Sequence, residues 1–200
     1  INKTIINCSL IIYLFFLLMC IKEIANYATE ITITIEGTGT QPIIYASNIR
    51  VNYTPDLILL NNDPLDYTGT SVFNLLNQIN NITMIWNRQL YSCNVMFNNL
   101  KNIIYADLSK FDCSQVTITT FMFEGCSSLT SVNLENLNTS SVESMAKMFH
   151  SCSSLISLDL SNFDTSSVTI IETMFGGCES LESLDLSNFD TSKVVFMNIA

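Results

Sequence analysis

The sequence predicts an α/β repeat protein in which each coil contains one short strand and one short helix. The first observation is a constant spacing, because Met-Phe pairs recur every 26 residues at positions 96, 122, 148 and 174. A fixed period of this length is typical of stacked units that each cover the apolar face of a neighbour. The other two observations are two hydrophobic periodicities that alternate within each unit.

The best-formed unit, residues 152–177, contains both periodicities. Leu158 and Leu160 alternate with small polar residues, which predicts a half-buried strand. After a polar turn, apolar residues recur at spacings of three and four, the period of a helical turn. These residues are Val168, Ile171, Met174, Phe175 and Cys178. One strand and one helix per coil predict a leucine-rich-repeat solenoid.

The repeat resembles that of BspA-like leucine-rich-repeat surface proteins, which occur among mycoplasma lipoproteins and protist surface proteins. The resemblance rests on LDLSNFDTSSV at 158–168 and MFGGC at 174–178, and it extends from Met96 to Met197. It is weaker over 100–125 and 126–151. The resemblance implies a cell-surface or secreted repeat region linked to adhesion, and it implies no catalysis.

The N-terminal segment, residues 1–28, carries an apolar run at 9–21 after Lys3. This pattern predicts a secretory signal peptide, with a short membrane anchor or a buried helix as alternatives. Cys20 is a candidate site of lipidation, although Met19 stands where a lipoprotein signal has a small residue.

The remaining chain divides into three segments. Residues 29–72 contain a run of alternating polar and apolar residues, at 30–36, and several turn signals, which predicts a β-rich N-terminal module. This module is expected to shield the first coil, with an independent recognition domain as the alternative. Residues 73–99 read as a degenerate capping repeat, and residues 100–200 as four repeats, the last incomplete. Because the fourth repeat stops before a Met-Phe pair, we expect further repeats or a capping segment in the natural protein. Without them, we expect the last coil to fray or to associate through its edge.

Charge and composition exclude several classes of function. The chain has 200 residues, 48% of them hydrophobic, which is enough to bury a sizeable core. Its net charge is −10, and residues 100–200 hold 12 acidic against 4 basic side chains. Such a surface repels phosphate and has no Lys/Arg cluster, which disfavours nucleic acids and anionic membranes as partners.

Motifs for catalysis or metal binding are missing from the sequence. There is no Gly-rich phosphate loop, no G-x-S-x-G, no H-E-x-x-H and no C-x-x-C. The single histidine, His150, is expected at an exposed helix end. We therefore predict no enzymatic activity, no catalytic residue, no cofactor and no metal site.

Five cysteines remain after the predicted signal: Cys93, Cys113, Cys126, Cys152 and Cys178. The last three recur at one column of the repeat, which favours buried free thiols. Disulfides between neighbouring coils are the alternative, but parallel side chains seldom reach the required dihedral angle.

One ladder of polar residues is the candidate ligand-binding site on the concave face of the predicted solenoid. Its members are Tyr105, Asp107, Asn133, Asp159 and Asp185. The alternative is that these side chains only solvate that face. A second ladder, in the turns, is interpreted as structural: Asp112, Asn138, Asp164 and Asp190. Three sequons could be glycosylated in a eukaryotic secretory pathway: Asn52, Asn81 and Asn138.

The sequence as a whole predicts an extracellular or cell-surface binding and adhesion module that contacts protein or glycan. The alternative is a structural surface-coat or spacer segment, such as a fragment of a longer receptor. Near identity of LDLSNFDTS at 158–166 and 184–192 favours the alternative.

Overall fold

The computed structural model of the protein describes residues 28–42, 55–64, 72–75 and 77–198. The run at 9–21 and Cys20, on which the signal and lipidation predictions rest, lie outside these residues, as does Asn52. Strands form a six-stranded sheet of order β4-β3-β6-β1-β7-β8 and a two-stranded sheet of β2 and β5. The strands are β1 Thr29–Glu36, β2 Gly39–Pro42, β3 Leu57–Leu60, β4 Asp63–Pro64, β5 Val72–Leu75, β6 Ile79–Trp86, β7 Ile103–Asp107 and β8 Ser131–Asn133.

The larger sheet has one buried, apolar face and one face towards solvent, as the alternation along its two longest strands requires. Ile31, Ile33 and Ile35 of β1 are fully buried, and the threonines between them lie on the other face. In β6 the same alternation buries Met84 and Trp86. The apolar face of the sheet therefore forms one wall of the hydrophobic core.

Strand β1 lies between β6 and β7 and pairs antiparallel with both. It also accepts a backbone hydrogen bond that, in later coils, is accepted by the neighbouring coil. The backbone N–H of Asp164 donates to Thr139 Oγ1 in the preceding coil at 2.9 Å. The N–H of Asp112 donates instead to Thr29 Oγ1 of β1, at 2.6 Å. Thus β1 takes the place of a neighbouring coil and closes this end of the stack.

The coils stack in the 26-residue register. Strands β7 and β8 pair in parallel, with Tyr105 opposite Ser131 and Asp107 opposite Asn133. At another corner, single parallel bridges connect each coil to the next. They join Ser92, Ile118, Ser144, Ile170 and Phe196 in turn.

The predicted α/β leucine-rich-repeat solenoid is wrong, because none of the residues described above is helical. The fold is a mixed β-sheet that continues into stacked coils of turns. In the region expected to form the helix of each coil, successive backbone N–H groups donate alternately to the next coil and to their own turn. The N–H groups of Val95 and Phe97 donate to the next coil, at Thr120 and Met122, whereas that of Met96 donates back within its own turn. An α-helix would use each of these N–H groups within its own segment, four residues back.

Left-handed backbone conformations explain how apolar residues keep helical spacing without a helix. Two columns of the repeat have positive φ, four residues apart in each coil. The first column has φ between 46° and 59° at Val95, Phe121, Lys147 and Thr173. The second has φ between 58° and 75° at Asn99, Gly125, Ser151 and Gly177. Each such residue reverses the local winding, so a right-handed helix cannot propagate through it.

The core of the stack contains a column of phenylalanine rings. Phe97, Phe123, Phe149 and Phe175 stack with centroid distances of 5.2, 5.7 and 6.3 Å. Each ring covers the face of the one before it, and the first three are completely buried. The backbone hydrogen bonds between the same coils keep their lengths, for example 3.0, 3.0 and 2.9 Å from Val95, Phe121 and Lys147, so the stack stays in register while the ring distances increase.

The last described coil leaves apolar side chains in solvent. Val195 is 72% exposed and Phe196 is 60% exposed. A cavity of about 240 Å³ lies beside the ring of Phe175, between Ile171 and Phe189. The hydrophobic core is therefore open at this end of the described stack.

Replacing Phe149 by Ala is expected to reduce the free energy of unfolding by about 3–5 kcal/mol, because it leaves a cavity between two rings. Phe149→Leu, which keeps most of the volume, is expected to cost much less. Urea titration of the full chain followed by circular dichroism measures both. A loss for Phe149→Ala no larger than that for Phe149→Leu would contradict the ring column.

Gly125→Ala is expected to reduce the melting temperature more than Gly177→Ala. Both glycines have positive φ, which costs an alanine about 1 kcal/mol. A Cβ on Gly125 would also overlap with Oδ1 of Asn99, whose amide is held by Asn98 at 2.7 Å. The nearest atom to a Cβ on Gly177 is 3.3 Å away. Equal decreases in the melting temperatures of the two variants, measured by calorimetry, would contradict the close approach of coils at Gly125.

Candidate ligand-binding face

Four neighbouring strands, β6, β1, β7 and β8, present polar side chains on the sheet face opposite the core. The strand register arranges these side chains in two rows across the sheet. The first row is Thr83, Thr32, Asp107 and Asn133, and the second is Asn81, Thr34, Tyr105 and Ser131. We call these eight residues the polar face.

Hydrogen bonds between neighbouring strands hold the polar face in place. The hydroxyls of Thr32 and Thr83 lie 2.8 Å apart, and Thr34 donates to Asn81 Oδ1 at 2.8 Å. Asn133 Nδ2 donates to Asp107 Oδ1 at 3.1 Å. Since these side chains are already ordered by one another, a ligand would not have to order them.

Tyr105 is the aromatic residue of the polar face, and it is half-buried. Burial raises the pKa of its phenol, and the carboxylate of Asp107 raises it further, while a hydrogen bond with Asn133 acts in the opposite direction. The phenol therefore stays protonated at neutral pH and can both donate and accept a hydrogen bond.

Each acidic or amide member of the predicted ligand ladder also closes its own turn. Oδ1 of Asp107, Asn133, Asp159 and Asp185 accepts the N–H two residues later, at 2.9, 3.1, 2.9 and 2.9 Å. The second ladder forms the same turns, at Asp112, Asn138, Asp164 and Asp190. This arrangement is the Asx turn, in which a short polar side chain mimics a backbone turn.

The predicted ladder divides into two parts in the structure. Tyr105, Asp107 and Asn133 lie together on β7 and β8, in contact with each other. Asp159 and Asp185, expected on strands, lie in segments without strand structure. No backbone hydrogen bond joins residues 157–160 to 183–186, both of which the structure describes. Grooves of about 240 and 160 Å³ open at Asp159 between neighbouring coils instead.

The ladder predicted from the sequence lacks five members of the polar face: Thr32, Thr34, Asn81, Thr83 and Ser131. The alternation in residues 30–36 indicated that the threonines of β1 share one face. It did not indicate that β1 lies against β7, since antiparallel pairing with a distant strand has no local signal. Asn81 had been identified only as a sequon, and its side chain is exposed on the polar face.

The cysteine column lies in the core and offers no nucleophile. The thiols of Cys126, Cys152 and Cys178 each donate to the carbonyl of a phenylalanine one coil earlier, at 3.1 Å. Burial raises the pKa of Cys126 to about 12, so this thiol stays protonated at neutral pH. All five cysteines among the described residues are free, which agrees with the predicted buried thiols.

His150 lies in a turn and not at the predicted helix end. Its Nδ1 is 3.8 Å from the carboxylate of Glu124, which also accepts a hydrogen bond from Asn98 at 2.7 Å. Within the described ranges, no three His, Cys, Asp or Glu side chains are grouped so that they could hold a metal ion.

Acid is expected to destabilise the fold through the Asx turns. Hydrogen bonds from Ser161 lower the pKa of Asp159, and those from Ser187 lower the pKa of Asp185. A carboxyl whose pKa is lower in the folded state contributes stability above its ordinary pKa of 3.8. This stability is lost as the pH falls through the lowered value.

The double variant Asp159→Asn/Asp185→Asn keeps the acceptor oxygens but cannot titrate. Asn133 occupies the same column, so the substitution is compatible with the turn. We expect the melting temperature of the variant to fall less than that of the parent between pH 5 and pH 2.5. The control, Glu172→Gln, changes an exposed carboxyl to which the structure assigns no such turn. Melting temperatures that fall equally with pH in the parent and the double variant would contradict the role of these carboxylates.

Comparison with known proteins identifies a family for most of the chain. Residues 71–200 match the family described as Mycoplasma protein of unknown function, DUF285. The match includes β6, β7, β8 and the coils, whereas β1 precedes it. No curated protein and no solved structure matches the chain. No helix in the described part of the chain is long and apolar enough to cross a membrane. The match to residues 71–200 covers well over half of the sequence, and the chain therefore belongs to the DUF285 family.

Proposed function

We propose that the protein is a secreted or cell-surface binding module that contacts an extracellular protein or glycan through the polar face. The observation that carries this proposal is the hydrogen-bonded double row of half-exposed polar side chains on four adjacent strands. Cross-strand pairs of this kind stabilise a sheet, and they also leave the face ordered before a ligand binds, which lowers the entropic cost of binding.

The chemistry of the polar face supports recognition. Asp107 is bound by Ser109 and Asn133, and the phenol of Tyr105 is held in its neutral form. A carboxylate held by hydrogen bonds and a protonated phenol can orient a ligand by accepting and donating hydrogen bonds. We therefore propose a binding protein and no enzymatic role.

Export to the cell surface is supported by the sequence. The apolar run at 9–21 after Lys3 fits a secretory signal. The resemblance of the repeat to that of BspA-like surface proteins supports the same location. Lipidation at Cys20 would attach the module to a membrane, whereas cleavage near Ala25 to Thr29 would release it.

A structural spacer in a surface coat is the second candidate, and the turns favour it. Both ladders close Asx turns, and LDLSNFDTS recurs almost unchanged. Under this alternative, the polar residues are required for the coil and not for a ligand.

Adhesion of beads coated with the full chain to cultured animal cells tests the proposal. The variant Tyr105→Ala/Asn133→Ala removes two polar groups from the polar face. Loss of two hydrogen bonds is expected to weaken adhesion about tenfold. The matched control Glu143→Gln/Glu172→Gln changes two exposed residues that lie outside the polar face.

Circular dichroism of each variant shows whether the fold is retained. If the polar-face variant is folded and adheres as well as the parent, the binding role is wrong and the spacer function is favoured. The same conclusion follows if the parent does not adhere at all.

A further inference from the structure

The polar face has an unusual composition for a surface of its extent. It contains hydroxyls, two amides, one phenol and one carboxylate; none of these eight residues is basic or aliphatic, and Leu59 and Ile85 border them on the same side of the sheet. Four adjacent strands make it about 14 Å wide, since neighbouring strands lie about 4.8 Å apart. These properties restrict the chemistry of the ligand.

A protein partner fits this composition poorly. Protein interfaces are centred on buried aromatic or aliphatic anchors, surrounded by a polar rim. Tyr105 is the one aromatic side chain of the polar face, and its ring is already half-buried between Asp107 and its neighbours. Aliphatic side chains on the same side of the sheet lie at the margin of the two rows: Leu57, Leu59, Ile79 and Ile85. The polar residues therefore occupy the centre and the apolar ones the edge, the reverse of a protein interface.

Charge argues against an anionic ligand. Asp107 lies in the middle of the first row, and residues 100–200 carry eight more acidic than basic side chains. Lys110 follows β7, but its ammonium is bound to Glu30 of β1 at 2.7 Å. Arg88, beyond the end of β6, is bound to Asp56 at 2.9 Å. A sulfated or carboxylated ligand would therefore meet the carboxylate of Asp107 in the middle of the rows, and none of the eight residues of the polar face is a cation.

The polar groups of the face suit a ligand that both donates and accepts hydrogen bonds. Thr34 donates to Oδ1 of Asn81, which leaves the amide of Asn81 with two N–H donors. Asp107 takes hydrogen bonds from Ser109 and Asn133 at Oδ1, which leaves Oδ2 as an acceptor. Sugar hydroxyls match both kinds of group.

The spacing of the rows supports an extended ligand. Equivalent groups repeat from strand to strand at about 4.8 Å. This repeat is close to the length of one sugar ring in an extended glycan, so successive rings could lie over successive strands. The rows run across the strands, from Asn81 through Thr34 to Tyr105 in the second row.

We propose that the polar face binds an uncharged, extended glycan laid across β6, β1, β7 and β8. Thr32, Thr34, Asn81 and Thr83 of the N-terminal strands are then contact residues, together with Tyr105, Asp107 and Asn133. This inference rests on the proposed binding function and specifies its ligand class.

Isothermal titration of the full chain with defined oligosaccharides tests the inference. The uncharged probes are the linear hexasaccharides of β-1,4-glucose, α-1,4-glucose and β-1,4-mannose, and a printed array extends them to other neutral glycans. The anionic probes are heparin and hyaluronan oligosaccharides. We expect binding of at least one neutral glycan and of neither anionic probe.

The variant Thr34→Ala/Asn81→Ala removes both partners of one hydrogen bond, so that neither is left unpaired. It is expected to raise the Kd for the neutral glycan about tenfold, as for the loss of two hydrogen bonds. The control Thr117→Ala/Thr169→Ala removes two hydroxyls that donate to carbonyls between coils, outside the polar face. It is expected to leave the Kd within about twofold.

Other outcomes separate this inference from the binding function itself. If no neutral glycan binds, or if only heparin or hyaluronan binds, the glycan inference is wrong. Cell adhesion that still depends on Tyr105 and Asn133 would then preserve the binding function with a protein as the ligand. A neutral glycan whose Kd is unchanged by Thr34→Ala/Asn81→Ala would also overturn the assignment of β1 and β6 to the site.

Discussion

Backbone hydrogen bonds from one coil to the next determine the positions of most side chains in this protein. At the corner that contains the phenylalanine column, alternate N–H groups donate to carbonyls 25 residues later. The N–H groups between them close short turns within the same coil. This division excludes a helix, and it places equivalent residues of successive coils directly over one another. The stacked rings and the hydrogen-bonded thiols both follow from this alignment.

The repeat and its buried columns could be predicted from the sequence, whereas the helix could not be excluded from it. Constant spacing of Phe123, Phe149 and Cys152 identifies residues that occupy equivalent places, whatever the backbone does between them. Spacings of three and four are shared by helices and by successive turns. The decisive difference is the positive φ at Val95 and Thr173, and neither residue type signals a left-handed conformation.

The candidate site was predictable only where the sheet is well formed. Strand length decreases from eight residues in β1 to five in β7 and three in β8, and no strand follows between residues 134 and 198. Antiparallel pairing with β1 holds β7 extended, and parallel pairing with β7 holds β8 extended. The strands therefore become shorter with distance from β1. Asp159 and Asp185 have the same sequence pattern as Asp107 but lie beyond this influence. Their carboxylates lie at grooves between coils, and Asn133 of the polar face lines one of these grooves together with Asp159.

The position of β1 couples the polar face to the hydrophobic core. One side of this strand contributes Ile31 and Ile33 to the core, and the other contributes Thr32 and Thr34 to the polar face. A register slip of one residue would exchange the two sets, exposing isoleucines and burying threonines. Under the proposed binding function, changes at the outward positions of β1 would alter the ligand, provided that the alternation itself is kept. The residues that face a ligand and the residues that stabilise the core would then alternate along one eight-residue segment.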